Sequence, residues 1–360
     1  MTRVFNFCAG PAMLPAEVMQ QAQEEFLDWS GIGTSVMEIS HRSKPFMDLA
    51  AQSEQDLRSL LSIPDNYSVL FMHGGGRGQF AAVPLNLAAE HQSAMHLVSG
   101  SWSKASVTEA AKFLTANSID IRTNESDLIG ADVSLVSELE DNTAYIHFCP
   151  NETVDGIEIS DLPNVNVPIV ADMSSNILSR NIDVSKYGVI YAGAQKNIGP
   201  SGLSVVIIRK DLLGNAQENT PVILDYTAAA NNQSMFNTPP TYSWYLAGLV
   251  FKWLLSNGGV SAIEALNKQK AEQLYQCIDE SSLYVNRIAK PNRSRMNVVF
   301  QLHNEGLNQE FIDQAYSQGL HALKGHRSVG GMRASIYNAM PLDGITALTE
   351  FMREFERTKG

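Results

Sequence analysis

Lys196 stands in the stretch Tyr191–Gly202, "YAGAQKNIGPSG", between the apolar runs "YGVIYAGA" and "LSVVIIR". Each run reads as a buried strand, so the lysine is expected in a Gly- and Pro-rich loop at the edge of a core. Drawing an ammonium out of water lowers its pKa, and Schiff-base chemistry needs an amine that can lose its proton. Packing alone seldom buries a lysine. Asp172, in "VADMSS", lies 24 residues earlier, near the carboxyl end of another apolar run. Ligands sit at the carboxyl ends of strands in open parallel sheets. A lysine and an aspartate on neighbouring strand ends can face one flat ligand from opposite ends. Pyridoxal phosphate asks for that pairing, a lysine at its aldehyde carbon and an acid at its ring nitrogen. Unlike charges 4 Å apart attract by about 4 kcal/mol at an effective dielectric of ~20, enough to keep the ring nitrogen protonated. Taken alone, Asp172 also suits a helix N-cap or a loop salt bridge.

Other residues could complete such a site. The loop in "FMHGGGRGQF" (71–80) follows an apolar run and precedes a helical pattern. That arrangement lets backbone N–H groups reach a phosphate at a helix N-terminus, although a plain tight turn uses glycines too. It lacks the Gly-Lys-Ser/Thr of a nucleotide-phosphate loop and the glycine spacing of a dinucleotide fingerprint. Trp102, in "SGSWSKAS", can stack on a ring face or fill a core. Thr153 in "CPNETVDG" and Gln195 beside the lysine can donate hydrogen bonds. "GLHALKGHRSVGGMRAS" carries Lys324, His326, Arg327 and Arg333, and "SHRSK" adds His41 and Arg42. These are a solvated basic surface or a set of anion binders, and arginine forks suit carboxylates and phosphates.

The elements that must position these groups follow from the pattern of the chain. Strand-like runs at 67–72, 93–99, 143–149, 167–174, 187–194 and 203–209 alternate with helical patterns. Strands apolar on both faces, separated by helices, indicate an α/β fold: a mostly parallel sheet covered by helices on both faces. A long helical stretch reaches about residue 280. Strands at 295–302 and 332–338, with helices between and after them, then read as a smaller α+β domain. The expected division is a large domain over 16–260 and a small one formed by 1–15 and 261–360. The 360 residues carry 26 Lys and Arg against 38 Asp and Glu, a net charge of −12 that argues against nucleic-acid binding. Three cysteines without CxxC spacing suggest neither disulfides nor a metal site, and a reducing cytoplasm is expected. No signal-type segment is recognised, and the most apolar stretch, "WYLAGLVFKWLL", is too short to span a membrane.

In order along the chain, "FNFCAGPAMLP", "SVMEISHRSK", "HGGGRGQFAAVPLN", "CPNETVDGI", "ADMSSNILSR", "YAGAQKNIGPSG", "FNTPPT" and "GLHALKGHRSVGGMRASIYNAM" resemble the phosphoserine aminotransferases. That family belongs to the fold-type I pyridoxal-phosphate enzymes, and the likeness runs from Phe5 almost to the end. It implies amino transfer from glutamate to 3-phosphohydroxypyruvate, and in bacteria often to 3-hydroxy-2-oxo-4-phosphooxybutanoate as well. It further implies that Lys196 is the Schiff-base residue, Asp172 the partner of the ring nitrogen and Trp102 the stacking residue. Gly76, Arg77, Thr153 and Gln195 would surround the cofactor. Asn237 and Thr238 would reach its phosphate from the other subunit of a homodimer. His41, Arg42, His326, Arg327 and Arg333 would bind the substrate's carboxylate and phosphate. Many relatives have serine where this chain has Ala9, so a hydroxyl contact to substrate is absent here. A related aminotransferase of unphosphorylated serine or alanine with glyoxylate would share Lys196 and Asp172 but need fewer cations. A phosphate-binding protein with a decayed site would need neither.

Overall fold

The computed structural model describes residues 4–88, 92–136 and 139–360. Seven strands form the main sheet, side by side in the order Tyr67–His73, Leu203–Arg209, Val189–Gly193, Ile169–Asp172, Thr143–Phe148, Ser93–Val98 and Thr115–Asp120. All run parallel except Leu203–Arg209, which is antiparallel to both neighbours. The mostly parallel sheet expected above is therefore present, with one reversed strand. Five described strands of this sheet lie within the apolar runs named above and a sixth, Tyr67–His73, extends one residue beyond its run. Thr115–Asp120 does not: "TANSID" sits at the sheet edge, half exposed, and carries no apolar signature to read.

Side chains on the sheet alternate between two cores. Phe71, Ile146, Ala171, Ile190 and Val205 enter one, which helices Lys44–Leu61 and Thr241–Ser256 cover with Phe46, Leu57, Trp244 and Phe251. Leu70, Tyr145, Val170, Tyr191 and Val206 enter the other, beneath Phe80 and Val83 of helix Gly75–Leu87. Burial on both faces explains why these strands read as unbroken apolar runs.

A third core gathers Phe7, Leu274, Val298, Phe300, Phe311, Ile345 and Phe351. It lies on an antiparallel sheet ordered Tyr284–Val285, Asn297–Leu302, Met332–Ser335. Phe5–Asn6 pairs in parallel with Leu320–His321, so the N-terminal segment joins this core. The long helical stretch is two helices, Thr241–Ser256 and Gly259–Asp279, bent by 83° at a break where Gly258 takes a left-handed backbone (φ 87°). Among the described residues no single helix is long and apolar enough to cross a membrane.

Candidate active site

Three strand ends converge on one cavity of about 400 Å³. Asp172 closes the strand Ile169–Asp172, Gly193 closes Val189–Gly193, and the glycine loop follows Tyr67–His73. Lys196 comes from the loop between the antiparallel strands Val189–Gly193 and Leu203–Arg209. Both Lys196 and Asp172 line the cavity, and each is more than nine-tenths buried.

The amine is held and weakened. Lys196 Nζ donates to Thr153 Oγ1 at 2.5 Å and lies 5.9 Å from the centre of the Trp102 ring. Burial brings the lysine down to about 8; Asp172 opposes the shift and Arg333 adds to it. An amine at that value is partly neutral near pH 7, as a nucleophile or proton carrier must be. Burial also pushes the Asp172 carboxyl upward, while hydrogen bonds from Ser174 and the charge of Lys196 pull it back. A second cation beside Asp172 would favour its charged form further.

Ser174, which the sequence reading passes over, ties the strand ends together. Its hydroxyl donates to Asp172 Oδ1 at 2.5 Å and accepts from the Gly193 N–H at 2.9 Å, and its own N–H also donates to Asp172 Oδ1. A Cβ added at Gly76 would stand 2.9 Å from Ser174 Oγ, and one at Gly193 would stand 2.9 Å from the Gly76 nitrogen. Two backbones pass here with no room for side chains, leaving N–H groups at the start of helix Gly75–Leu87 facing the cavity region.

Trp102 and Arg77 form another wall. The Arg77 guanidinium sits 5.1 Å from the tryptophan ring centre. Trp102 opens helix Ser101–Ala110, whose N-terminus is capped by the buried Glu152 through Trp102 N–H, Ser103 N–H and Ser103 Oγ. Burial pushes Glu152 up to about 7 against those hydrogen bonds. Glu152 is a second residue without a sequence signal of its own. Gln195 lines the cavity; its carbonyl accepts from Ala12 N–H, while the Ala9 carbonyl accepts from Tyr337 at 2.8 Å.

Gly76, Arg77, Trp102, Thr153, Asp172, Gln195 and Lys196 thus come together from five segments. Arg333, half-buried, reaches the same wall by donating from Nη1 to the Thr153 carbonyl at 3.4 Å. The remaining candidates do not line this cavity. His326 and Arg327 stand exposed on a tip closed by Gly325 N–H to the Gly331 carbonyl, with His326 Nδ1 2.7 Å from Ser328 Oγ. His41 and Arg42 contact each other at 3.4 Å just before helix Lys44–Leu61. Asn237 and Thr238 are exposed, with Asn237 beside Phe71, His73 and Phe236.

The profile of the class-V aminotransferases matches residues 4–348. The chain belongs to that family. This aminotransferase is similar over its whole length to solved phosphoserine aminotransferases. The one from Bacillus circulans subsp. alkalophilus is 40% identical and covers 100% of both chains at a TM-score of 0.94. A pyridoxal-phosphate-bound one from Trichomonas vaginalis is 40% identical, covering 98% of this chain and 100% of its own, at a TM-score of 0.91. Another, studied for radiation damage of its Schiff base, is 42% identical, covering 99% and 100%, at a TM-score of 0.95. An alanine–glyoxylate aminotransferase from Nostoc sp. covers 98% of this chain and 95% of its own at a TM-score of 0.78 but is 15% identical, which is a likeness of fold alone.

The cavity of this aminotransferase fits the group that the Trichomonas relative carries. It offers a buried amine, a buried carboxylate, an aromatic wall and a helix N-terminus that glycines leave open. Among the described residues the indole Nε1 of Trp102, buried behind that wall, has no hydrogen-bond partner.

Proposed function

We propose that the protein is a phosphoserine aminotransferase that uses pyridoxal 5′-phosphate. It moves an amino group reversibly from L-glutamate to 3-phosphohydroxypyruvate, giving O-phospho-L-serine and 2-oxoglutarate. The same cations suit 3-hydroxy-2-oxo-4-phosphooxybutanoate, a substrate in the formation of pyridoxal phosphate itself. The observation that carries the reading is the placement of Lys196 and Asp172 in the walls of one cavity, in a chain similar throughout to enzymes of that name.

Bound there, pyridoxal phosphate supplies an electron-accepting ring that stabilises negative charge on the substrate's Cα. Lys196 would hold the aldehyde carbon, and its Nζ would take the proton from the substrate's Cα and return one on the other side of the transfer. Thr153 steers that amine through the 2.5 Å hydrogen bond. Asp172 keeps the ring nitrogen protonated, and Ser174 holds its carboxylate in place. Trp102 covers the ring face, while Gly76, Arg77 and Gln195 surround the group. Arg333, at the cavity wall, takes the substrate's carboxylate.

His41, Arg42, His326 and Arg327 are exposed or partly so in the single chain, and we assign them to the substrate's anionic groups. Asn237 and Thr238, exposed and not lining the cavity of their own chain, serve the cofactor phosphate of the other subunit of a homodimer. Exposed Val222, Ile223 and Phe236, which share a cleft with Asn237, give that assembly an apolar face. The large domain over 16–260 holds the cofactor, and 1–15 with 261–360 forms the smaller one. The reaction takes small-molecule substrates in the cytoplasm, without nucleic acid or membrane.

A spectrum of the purified, cofactor-loaded protein before and after glutamate tests the reading, together with turnover of O-phosphoserine against serine. The expected results are a shift of the visible band on adding glutamate and strong preference for the phosphorylated amino acid. A colourless protein that takes up no cofactor, or equal rates with serine, overturns it.

A further inference from the structure

Behind Asp172 a line of polar side chains crosses the buried face of the sheet. Strand register sets it: Asp172 lies beside Tyr191, Val170 beside His147, and His147 beside His96, so their side chains share one face. His96, His147 and Tyr191 are each almost fully buried, as is Ser106 on the helix above. The contacts are continuous. His96 Nδ1 is 3.0 Å from Ser106 Oγ, Ser106 Oγ is 3.2 Å from His147 Nδ1, and His147 Nε2 is 2.8 Å from the Tyr191 hydroxyl. Tyr191 is the cross-strand neighbour of Asp172, and a hydrogen bond from its hydroxyl favours the charged carboxylate against the effect of burial. Nothing in the chemistry described above uses these groups, and an apolar core would fill the space at lower desolvation cost.

Counting protons allows two orders at His147. Ser106 has one hydroxyl proton, which points either away from His147, to the Ser103 carbonyl at 2.7 Å or His96 Nδ1 at 3.0 Å, or to His147 Nδ1. In the first case a neutral His147 carries its proton on Nδ1 and its Nε2 must accept from Tyr191, drawing the phenol proton away from Asp172. In the second, every donor points one way: His96 Nδ1–H to Ser106, Ser106 O–H to His147 Nδ1, His147 Nε2–H to Tyr191, and Tyr191 O–H to the carboxylate. His96 Nε2 is then an acceptor at the end of the line, and it has no partner among the described residues. Chains of hydrogen bonds aligned in one direction polarise one another.

We propose that Tyr191, His147, Ser106 and His96 form a relay of positioning residues that holds the Asp172 carboxylate charged and so holds the proton on the cofactor's ring nitrogen. This rests on the pyridoxal-phosphate reading above. The relay takes the second order when Asp172 is ionised, and each break weakens the ring nitrogen's hold on its proton, less so the farther the break lies from Asp172.

The test is the 15N resonance of ring-labelled pyridoxal phosphate bound to the wild type and to Y191F, H147L and S106A. Y191F removes one hydroxyl without changing the ring. The expected shift of the ring-nitrogen proton equilibrium toward the unprotonated form is about tenfold for Y191F, smaller for H147L and smallest for S106A. H147Q keeps a donor and is expected to recover part of the H147L effect. Should Y191F fold poorly, the H147L and H147Q pair carries the test. An unchanged resonance in folded Y191F and H147L, with the wild type binding normally, overturns the relay and leaves the aminotransferase reading standing. A wild type that binds no pyridoxal phosphate overturns both.

Discussion

Replacing Lys196 with alanine is expected to abolish the visible absorbance of the cofactor-loaded protein and nearly all turnover, since among the described residues no other lysine lines the cavity. Absorbance spectra and a glutamate half-reaction check this, and retention of both would exclude the assignment. The same residue predicts a pH effect in the cofactor-free protein. Its folded value of about 8 lies below the ordinary 10.5, with burial as the main cause. Between those values the unfolded chain holds a proton that the folded chain has released, so stability rises with pH across this window. The penalty is full below about pH 8 and is relieved as the pH approaches 10.5. Lys196→Met should reduce that rise in urea unfolding at the two ends of the window, the buried Lys270 keeping its own share, and an unchanged slope would mean that the Lys196 ammonium is solvated. At the tip of its hairpin, Arg327 is the test of phosphate reading. Arg327→Leu should raise KM for the phosphorylated substrate by about ten- to a hundredfold, the scale of a charge-assisted hydrogen bond, and affect glutamate much less. Equal losses would move Arg327 to the shared carboxylate.

At the level of elements, the site depends on how closely the glycine loop approaches the end of strand Val189–Gly193. A methyl group at Gly193 would meet the Gly76 backbone nitrogen at 2.9 Å, and backbone cannot rotate away as a side chain can. Gly193→Ala is therefore expected to part the two elements and weaken pyridoxal phosphate binding at least about tenfold, with a lowered Tm from the strain. Fluorescence titration of the apo-protein measures it. An unaltered Kd would show that the loop yields without cost. Helix Ser101–Ala110 is positioned in a comparable way by distant residues, because Glu152 meets the N–H groups of Trp102 and Ser103 and Asp155 that of Ser101, while the local Ser103 hydroxyl accepts from Gly100 N–H.

For the whole molecule, the question is what joins the third core to the sheet that carries the site. Lys270, fully buried on helix Gly259–Asp279, donates to the carbonyls of Ile336, Tyr337 and Met340 at 3.1, 2.7 and 3.0 Å. Burial lowers its pKa, whereas three carbonyl acceptors favour the charged form and oppose that shift. One turn away, Asn267 donates to Asn338, whose N–H donates to Asn197, the neighbour of Lys196. The link between the cores therefore ends at the loop that carries Lys196. Lys270→Met should strand the Ile336 and Met340 carbonyls, since that of Tyr337 also accepts from the Met340 N–H, and destabilise the protein by about 2 kcal/mol or more, read from denaturant midpoints. A loss below about 1 kcal/mol would show that water or rearranged backbone satisfies them.

The sequence alone was enough to locate most of the sheet, and to single out Lys196 and Asp172, because strands buried on both faces leave unbroken apolar runs and a polar residue at the end of such a run stands out. It was also enough to suggest that Gly76, Arg77, Trp102, Thr153 and Gln195 belong beside them, through the blocks shared with a family. Other features required the tertiary structure. The reversal of Leu203–Arg209 leaves no trace in composition, and the edge strand Thr115–Asp120 lacks the apolar pattern that burial imposes elsewhere. Ser174, Glu152 and the line from His96 to Tyr191 are ordinary polar residues until strand register and helix packing bring them to hydrogen-bonding distance. Periodicity records whether a side chain is buried, and it carries no information about which distant residue will be waiting there.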